Sequence, residues 1–317
     1  MDNINNYNEN VYLPFLKDEL KKIENNIDYI YNKDGILHKK NSKEKPSELK
    51  PNEYIKISHY AIKYIQYQIL SKYKLLPMFI PLNPERDLKN LNNYLEPDNE
   101  IPQCQIYCSN DFFTNPKCII IIQGTGGVRV GIWSRQVCVN DSIKNGSMIP
   151  YIEMALEKNY SLIILNPNER YDDYKDKTKN EIKEFSSMGK HCKYVYNNII
   201  KNNENIKEIY IIAHSMGGYC TVEILNENKD DLLSGKIKKI GFTDSVHGKL
   251  YQILDENSLE IFRQITRNYI RSDEKVGKLI STYDDSYDGV DNYSSGHNKH
   301  EYTSPFAILE IFKWFEK

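Results

Sequence analysis

Ser215 stands in Ala213-His214-Ser215-Met216-Gly217-Gly218, directly behind the apolar run Ile209-Tyr210-Ile211-Ile212. A serine becomes a nucleophile when a sharp strand-to-helix turn lifts its hydroxyl clear of a sheet. The residues two before and two after it must then be small, because the arms of the turn nearly touch. Ala213 and Gly217 meet that requirement, with alanine where the first glycine usually stands. In such an elbow the amide of the next residue, Met216, points at the space where a tetrahedral oxyanion forms, and the start of the following helix adds a partial positive charge. Taken alone, Ser-x-Gly-Gly after a strand fits a plain turn equally well, so other residues must decide.

An elbow needs a second oxyanion donor from a loop after an earlier strand. Gln123-Gly124-Thr125-Gly126-Gly127 follows the apolar run Cys118 to Ile122, so the amide of Gly124 or Thr125 is the candidate. The same loop lacks the Gly-Lys-Ser/Thr of a P-loop and the spacing of a dinucleotide fingerprint. Arg129, Trp133 and Arg135 come next and offer contacts to an anionic substrate or a partner; a surface arginine and a core tryptophan are the plainer reading. The order expected of the triad is serine, acid, histidine. His300 is favoured as base because it precedes the last helix in a loop, with His297 as fallback and His247 too close to its strand. Asp244 ends the strand Ile240 to Asp244 and is the favoured acid, while Asp273 and Glu274, after the next strand, hold the more usual position and compete. The chemistry would be attack of Ser215 on an ester or amide carbonyl, with His300 moving the proton and the acid holding the imidazole.

Such residues need a sheet to carry them. Strand patterns at Leu76 to Leu82, Gln103 to Cys108, Cys118 to Gln123, Leu162 to Asn166, Ile209 to Ala213, Ile237 to Asp244 and Asn268 to Arg271 alternate, from residue 117 on, with helical patterns at 148–158, 181–201, 217–228 and 256–267 and a last helix from Pro305. That rhythm predicts a doubly wound, mostly parallel α/β sheet. Ser147 and Ser304-Pro305 read as helix starts. Residues 11–31 and 53–73 carry helical spacing, with a turn signal at Asn32-Lys33-Asp34-Gly35. The expected organisation is a helical N-terminal region, 1–75, ahead of an α/β-hydrolase-like domain, 76–317.

In 317 residues, 40% hydrophobic, there is enough apolar side chain for one large core or two modest ones. A net charge of −2 with interspersed signs argues against direct nucleic-acid binding by phosphate neutralisation. Six cysteines form no Cys-x-x-Cys pair and no zinc spacing, so reduced core thiols are expected, with no metal or cofactor implied. The polar N-terminus has no signal-peptide core and no apolar run approaches membrane length, which predicts an intracellular chain of nucleus or cytoplasm.

One ordered set of motifs is more specific: Tyr31-Asn32-Lys33-Asp34-Gly35, Thr114-Asn115-Pro116, Gly124-Thr125-Gly126 with Val128-Arg129 and Gly131-x-Trp133, Ile149-Pro150, Leu165-Asn166-Pro167-Asn168, the serine elbow, Phe242-Thr243-Asp244-Ser245-Val246-His247 and His300-Glu301-x-Thr303-Ser304. Through it nearly the whole chain resembles the argonaute-binding-protein family (Arb-type, second member), also called the cotranscriptional regulator family. The resemblance implies an α/β-hydrolase-like fold and, for some members, nuclear roles with argonaute in small-RNA silencing, heterochromatin assembly or splicing control. The residues themselves favour an intact hydrolase site, while the resemblance favours a scaffold that keeps the site as a polar network. Where relatives open the oxyanion loop with His-Gly, this chain has Gln123-Gly124, which leaves the backbone donor in place.

Overall fold

Isoleucine-rich runs without polar alternation have no face to offer water, and the chain buries them on both sides of one sheet. The computed structural model describes residues 12–172, 181–248, 254–286 and 289–317. Its elements begin with α1 (Leu13–Glu24), β1 (Tyr29–Tyr31), β2 (Leu37–Lys39), α2 (Pro51–Ser71), β3 (Leu76–Ile80), β4 (Cys104–Cys108) and β5 (Lys117–Ile122). Next come α3 (Arg135–Asn140), α4 (Ile143–Gly146), α5 (Ile149–Glu157), β6 (Ser161–Ile164), α6 (Met188–Val195), which runs on into a π turn at Tyr196–Ile200, β7 (Glu208–His214), α7 (Met216–Glu227) and α8 (Lys229–Leu233). The remainder is β8 (Ile237–Thr243), α9 (Glu256–Ile265), β9 (Thr266–Ile270), β10 (Leu279–Ser281), β11 (Asp291–Ser294) and α10 (Thr303–Phe315).

Nine strands form one sheet in the order β10-β11-β9-β8-β7-β5-β6-β4-β3. The strands from β6 through β5, β7, β8 and β9 to β11 run parallel, and β3, β4 and β10 join antiparallel. This is the mostly parallel, doubly wound sheet of an α/β-hydrolase fold. Alternate residues of β5 and β7 part to opposite faces: Ile119, Ile121, Tyr210 and Ile212 join one buried cluster, Ile120, Ile122, Ile209 and Ile211 the other. The first cluster also takes Leu16 of α1, Ile57 and Ile65 of α2 and Phe312 of α10, so the N-terminal helices share the core of the sheet.

Three local expectations need correction. The helical pattern read over 11–31 stops at Glu24, and Tyr29–Tyr31 pairs with Leu37–Lys39 as a hairpin; residue 11 lies outside the described residues. Asn32 makes the turn, its Oδ1 accepting from the amides of Asp34 and Ile36 at 2.9 and 3.0 Å. Ser304 is no cap, since α10 already starts at Thr303, and Ser147 lies one residue ahead of the cap of α5. The β10 and β11 segments were not expected as strands. All six cysteines are buried free thiols, and no described helix is long and apolar enough to cross a membrane.

Candidate active site

The backbone of Ser215 is held at φ 52°, ψ −123°, between the end of β7 and the start of α7. A non-glycine residue at positive φ is strained, and such strain persists only where surrounding structure enforces it. Here the Ser215 amide donates to the Thr243 carbonyl at 3.1 Å, and its own carbonyl accepts from the amides of Gly218 and Val246 at 3.0 and 2.9 Å. A Cβ on Gly217 would lie 2.6 Å from the backbone oxygen of Ile122, so the elbow closes against β5 only with glycine there. Met216 is the first residue of α7, which leaves its amide among the unsatisfied donors of a helix start.

The oxyanion loop lies directly on the serine. A Cβ on Gly124 would meet the Cβ of Ser215 at 2.8 Å and His214 Cδ2 at 3.3 Å. Gly124 therefore lies against the nucleophile, and Thr125 lines the same cleft. Asn168 holds this loop: its Nδ2 donates to the Gly124 carbonyl at 2.8 Å and fixes the plane of the 124–125 peptide. Asn166 braces it from below, Oδ1 accepting from the Val130 amide at 3.1 Å and from Gln123 Nε2 at 3.3 Å. Gln123 thus serves the loop through its side chain while Gly124 supplies the approach. The sequence contained the Asn-Pro-Asn motif, but nothing local in it gave the two asparagines this role.

Asp244 follows β8 at positive φ, 42°. His300 donates from Nδ1 to Asp244 Oδ2 at 2.5 Å, which leaves the lone pair on Nε2, the tautomer a base needs. Arg271, from the loop after β9, shares that same oxygen through Nε at 2.7 Å. Burial opposes ionisation of Asp244, but the His300 hydrogen bond and the positive charge of Arg271 help to outweigh it, and the carboxyl lies below its ordinary range. The competing acids stand elsewhere: Glu274 pairs with Lys278 at 2.9 Å and Asp273 is exposed. His297 stacks on Tyr302 at 4.6 Å, and His247 bonds Ser245 Oγ at 2.9 Å. No hydrogen bond joins Ser215 Oγ to His300 among the described residues. In free enzymes such contacts are often long and tighten around substrate.

Ser215 and His300 line one cleft of about 270 Å³ with Gly124, Thr125, Trp133 and Arg135. Tyr54 of α2 lines one side, a contribution that sequence reading missed because this tyrosine lies more than a hundred and fifty residues ahead of the serine. Gly131, at φ +91°, lets α2 approach: a Cβ there would lie 2.5 Å from Ile69 Cδ1. Trp133 is buried, edge-on to His214 at 6.1 Å. Arg129 stands behind the loop rather than in the cleft.

Two buried histidines support this frame in their neutral form. His191 Nε2 accepts from the Asn166 amide at 3.1 Å, and His214 Nδ1 donates to the Thr243 carbonyl at 2.9 Å while its ring tilts over His300 at 4.5 Å. Burial drives both pKa values down to about 3, for His214 with repulsion from His300 added. The unfolded chain, with ordinary imidazoles near 6.5, binds more protons between those values, so stability must rise with pH through that window and be complete above it. Thermal unfolding followed by circular dichroism should show a midpoint that falls steadily from pH 7 to pH 4. A flat midpoint over that range would contradict the neutral assignment.

The family model described as the Arb2 domain matches residues 16–276. A cotranscriptional regulator ARB2A homolog of Dictyostelium discoideum is 30% identical over 325 residues, covering 90% of this chain and 77% of that protein. Cotranscriptional regulator ARB2A of Homo sapiens is 25% identical, covering 94% of this chain and 77% of its own. Among solved structures, a histone deacetylase from Saccharomyces cerevisiae superposes with a TM-score of 0.50 at 12% identity, over 82% of this chain and 96% of that one, a likeness of fold alone.

Proposed function

We propose that this chain, which belongs to the Arb2 domain family and has the α/β-hydrolase fold, is a serine hydrolase acting on an ester or amide. One observation carries the reading: the strained elbow presents Ser215 in the cleft that His300 also lines, with Asp244 holding the imidazole in the basic tautomer at 2.5 Å. In the reaction, Ser215 Oγ would bond to the substrate carbonyl carbon as its proton passes to His300 Nε2. The carbonyl oxygen would take the negative charge against the Met216 amide and that of Gly124 or Thr125. Collapse would break the bond to the leaving oxygen or nitrogen, which takes the proton from His300. Water, activated by the same imidazole, would then release the acyl group.

The test is a stopped-flow assay with short p-nitrophenyl esters. A burst of p-nitrophenol close to one per protein molecule, followed by slower turnover, is the expected result. Release no faster than in buffer, across esters and acyl amides of several chain lengths, would reject the reading. The loop can be tested in the same assay. A methyl group on Gly124 must push the loop off Ser215, so Gly124→Ala should lower kcat by about 10² to 10³, the size of a lost oxyanion donor, with unchanged circular dichroism. An unaffected kcat would remove Gly124 from the site.

A second reading has its own support, in the regulator names of the relatives and in a buried network that needs no substrate. Thr243 Oγ1 bonds Ser304 Oγ at 2.7 Å and His214 Nδ1 at 3.1 Å, so the polar cluster is stable as it stands. In that reading the chain is a scaffold for argonaute or other silencing and chromatin proteins, in nucleus or cytoplasm. Co-purification of such a partner that survives loss of Ser215, with no turnover in either form, would favour it.

A further inference from the structure

Behind the oxyanion loop lies a second cavity of about 200 Å³, which shares Gly127 and Arg135 with the Ser215 cleft. Its walls are cationic: Arg129 and Arg135 from the loop, and Lys63 from α2. Lys63 is paired with Glu19 at 3.2 Å, and the carboxylate of Glu169, also in the wall, accepts from Asn166 Nδ2. Arg129 donates only to the Val128 carbonyl, at 3.2 Å, and neither arginine forms an ion pair among the described residues. Both are half-buried. One of them lies directly on the loop, since a Cβ on Gly127 would be 2.2 Å from the Arg135 guanidinium. Two partly desolvated guanidinium groups share this cavity with the single carboxylate of Glu169, which leaves positive charge in excess there, and their planar forks fit an oxyanion through paired hydrogen bonds.

We infer that this cavity is the subsite for a terminal oxyanion of the substrate, so that the ester or amide cleaved at Ser215 carries a carboxylate or phosphate on the part that reaches past Gly127. The inference rests on the hydrolase reading for its reaction, but the anion site stands on its own geometry. Arg135, on the wall common to both spaces, holds the chain between them, and Arg129 binds its charged end.

The experiment compares mono-p-nitrophenyl esters of succinate, glutarate and adipate, a series of increasing length, with their neutral methyl-capped forms. For at least one chain length, kcat/KM for the charged ester should exceed that for the capped one by at least about tenfold, and the ratio should fall to about one in Arg129→Gln and Arg135→Gln. Arg129→Lys should keep part of it. A ratio of one at every length in the wild type, or a ratio untouched by both glutamine variants, overturns the proposal. Calorimetry on Ser215→Ala separates the anion site from the chemistry. Glutarate or butyl phosphate should bind there and glutaramide should not, the tighter of the two anions naming the head group. Turnover of neither ester with selective anion binding would reject the hydrolase and retain the subsite; equal or absent binding of all three would reject the subsite itself.

Discussion

Ser215→Ala should lower ester turnover by about 10⁴ to 10⁶, because triad members act as a unit and the loss of one costs nearly as much as the loss of all. Folding should change little. The side chain loses one oxygen that makes no hydrogen bond among the described residues, while the bonds that hold the elbow come from the backbone of Ser215 and are untouched. Strain at φ 52° is also unrelieved by alanine, since both residues carry a Cβ. The measurement is steady-state hydrolysis of the best p-nitrophenyl ester, with thermal unfolding as the control for structure. A loss of less than about tenfold would place the nucleophile elsewhere.

Asp244→Asn should cost about 10⁴ in kcat while leaving the site's outline intact. His300 Nδ1 and Arg271 Nε donate to one oxygen of Asp244. An asparagine oxygen kept in that place by the obligate donor Arg271 can still accept from the imidazole, but it lacks the negative charge that stabilises the imidazolium formed as Ser215 gives up its proton. Arg271 then places an uncompensated positive charge beside that imidazolium. Loss of the anion with the guanidinium left in place, where one oxygen now lies 2.5 Å from His300 and 2.7 Å from Arg271, is what makes the effect so large here. Arg271→Gln combined with Asp244→Asn should recover part of the activity, because the uncompensated positive charge beside the imidazolium is then removed. A single Asp244→Asn variant with more than about a tenth of wild-type kcat would show that the carboxylate is not the orienting group.

Much of this site was legible in the sequence because its demands are local. An elbow needs small residues at fixed offsets from the serine, an oxyanion loop needs glycine where backbone meets backbone, and both sets are short in chain distance. Asp244 and His300 were readable from chain order and from their places at a strand end and before the last helix. Arg271 was invisible as a partner, since nothing in its neighbourhood distinguishes an arginine that reaches a carboxylate twenty-seven residues away from a solvated one. The same holds for Asn168 and for α2, which reach the oxyanion loop only through tertiary packing. The β10 and β11 strands escaped notice because Leu279 and Ile280 are exposed and Asp-Asn-Tyr-Ser offers no apolar alternation. In the hairpin at Tyr29–Tyr31, apolar residues sat at helical spacing by continuation from α1, and only the Asn32 turn signalled the change.

An activated serine is the point on which the hydrolase reading stands, and a neutral alkyl fluorophosphonate reads it without knowledge of the natural substrate. Incubated with the folded protein and followed by mass spectrometry of the digested peptides, it should leave a single adduct on Ser215. The adduct should be lost in His300→Ala and after heat denaturation. No adduct on the folded wild type, or labelling of Ser215 at an undiminished rate in His300→Ala, would contradict it.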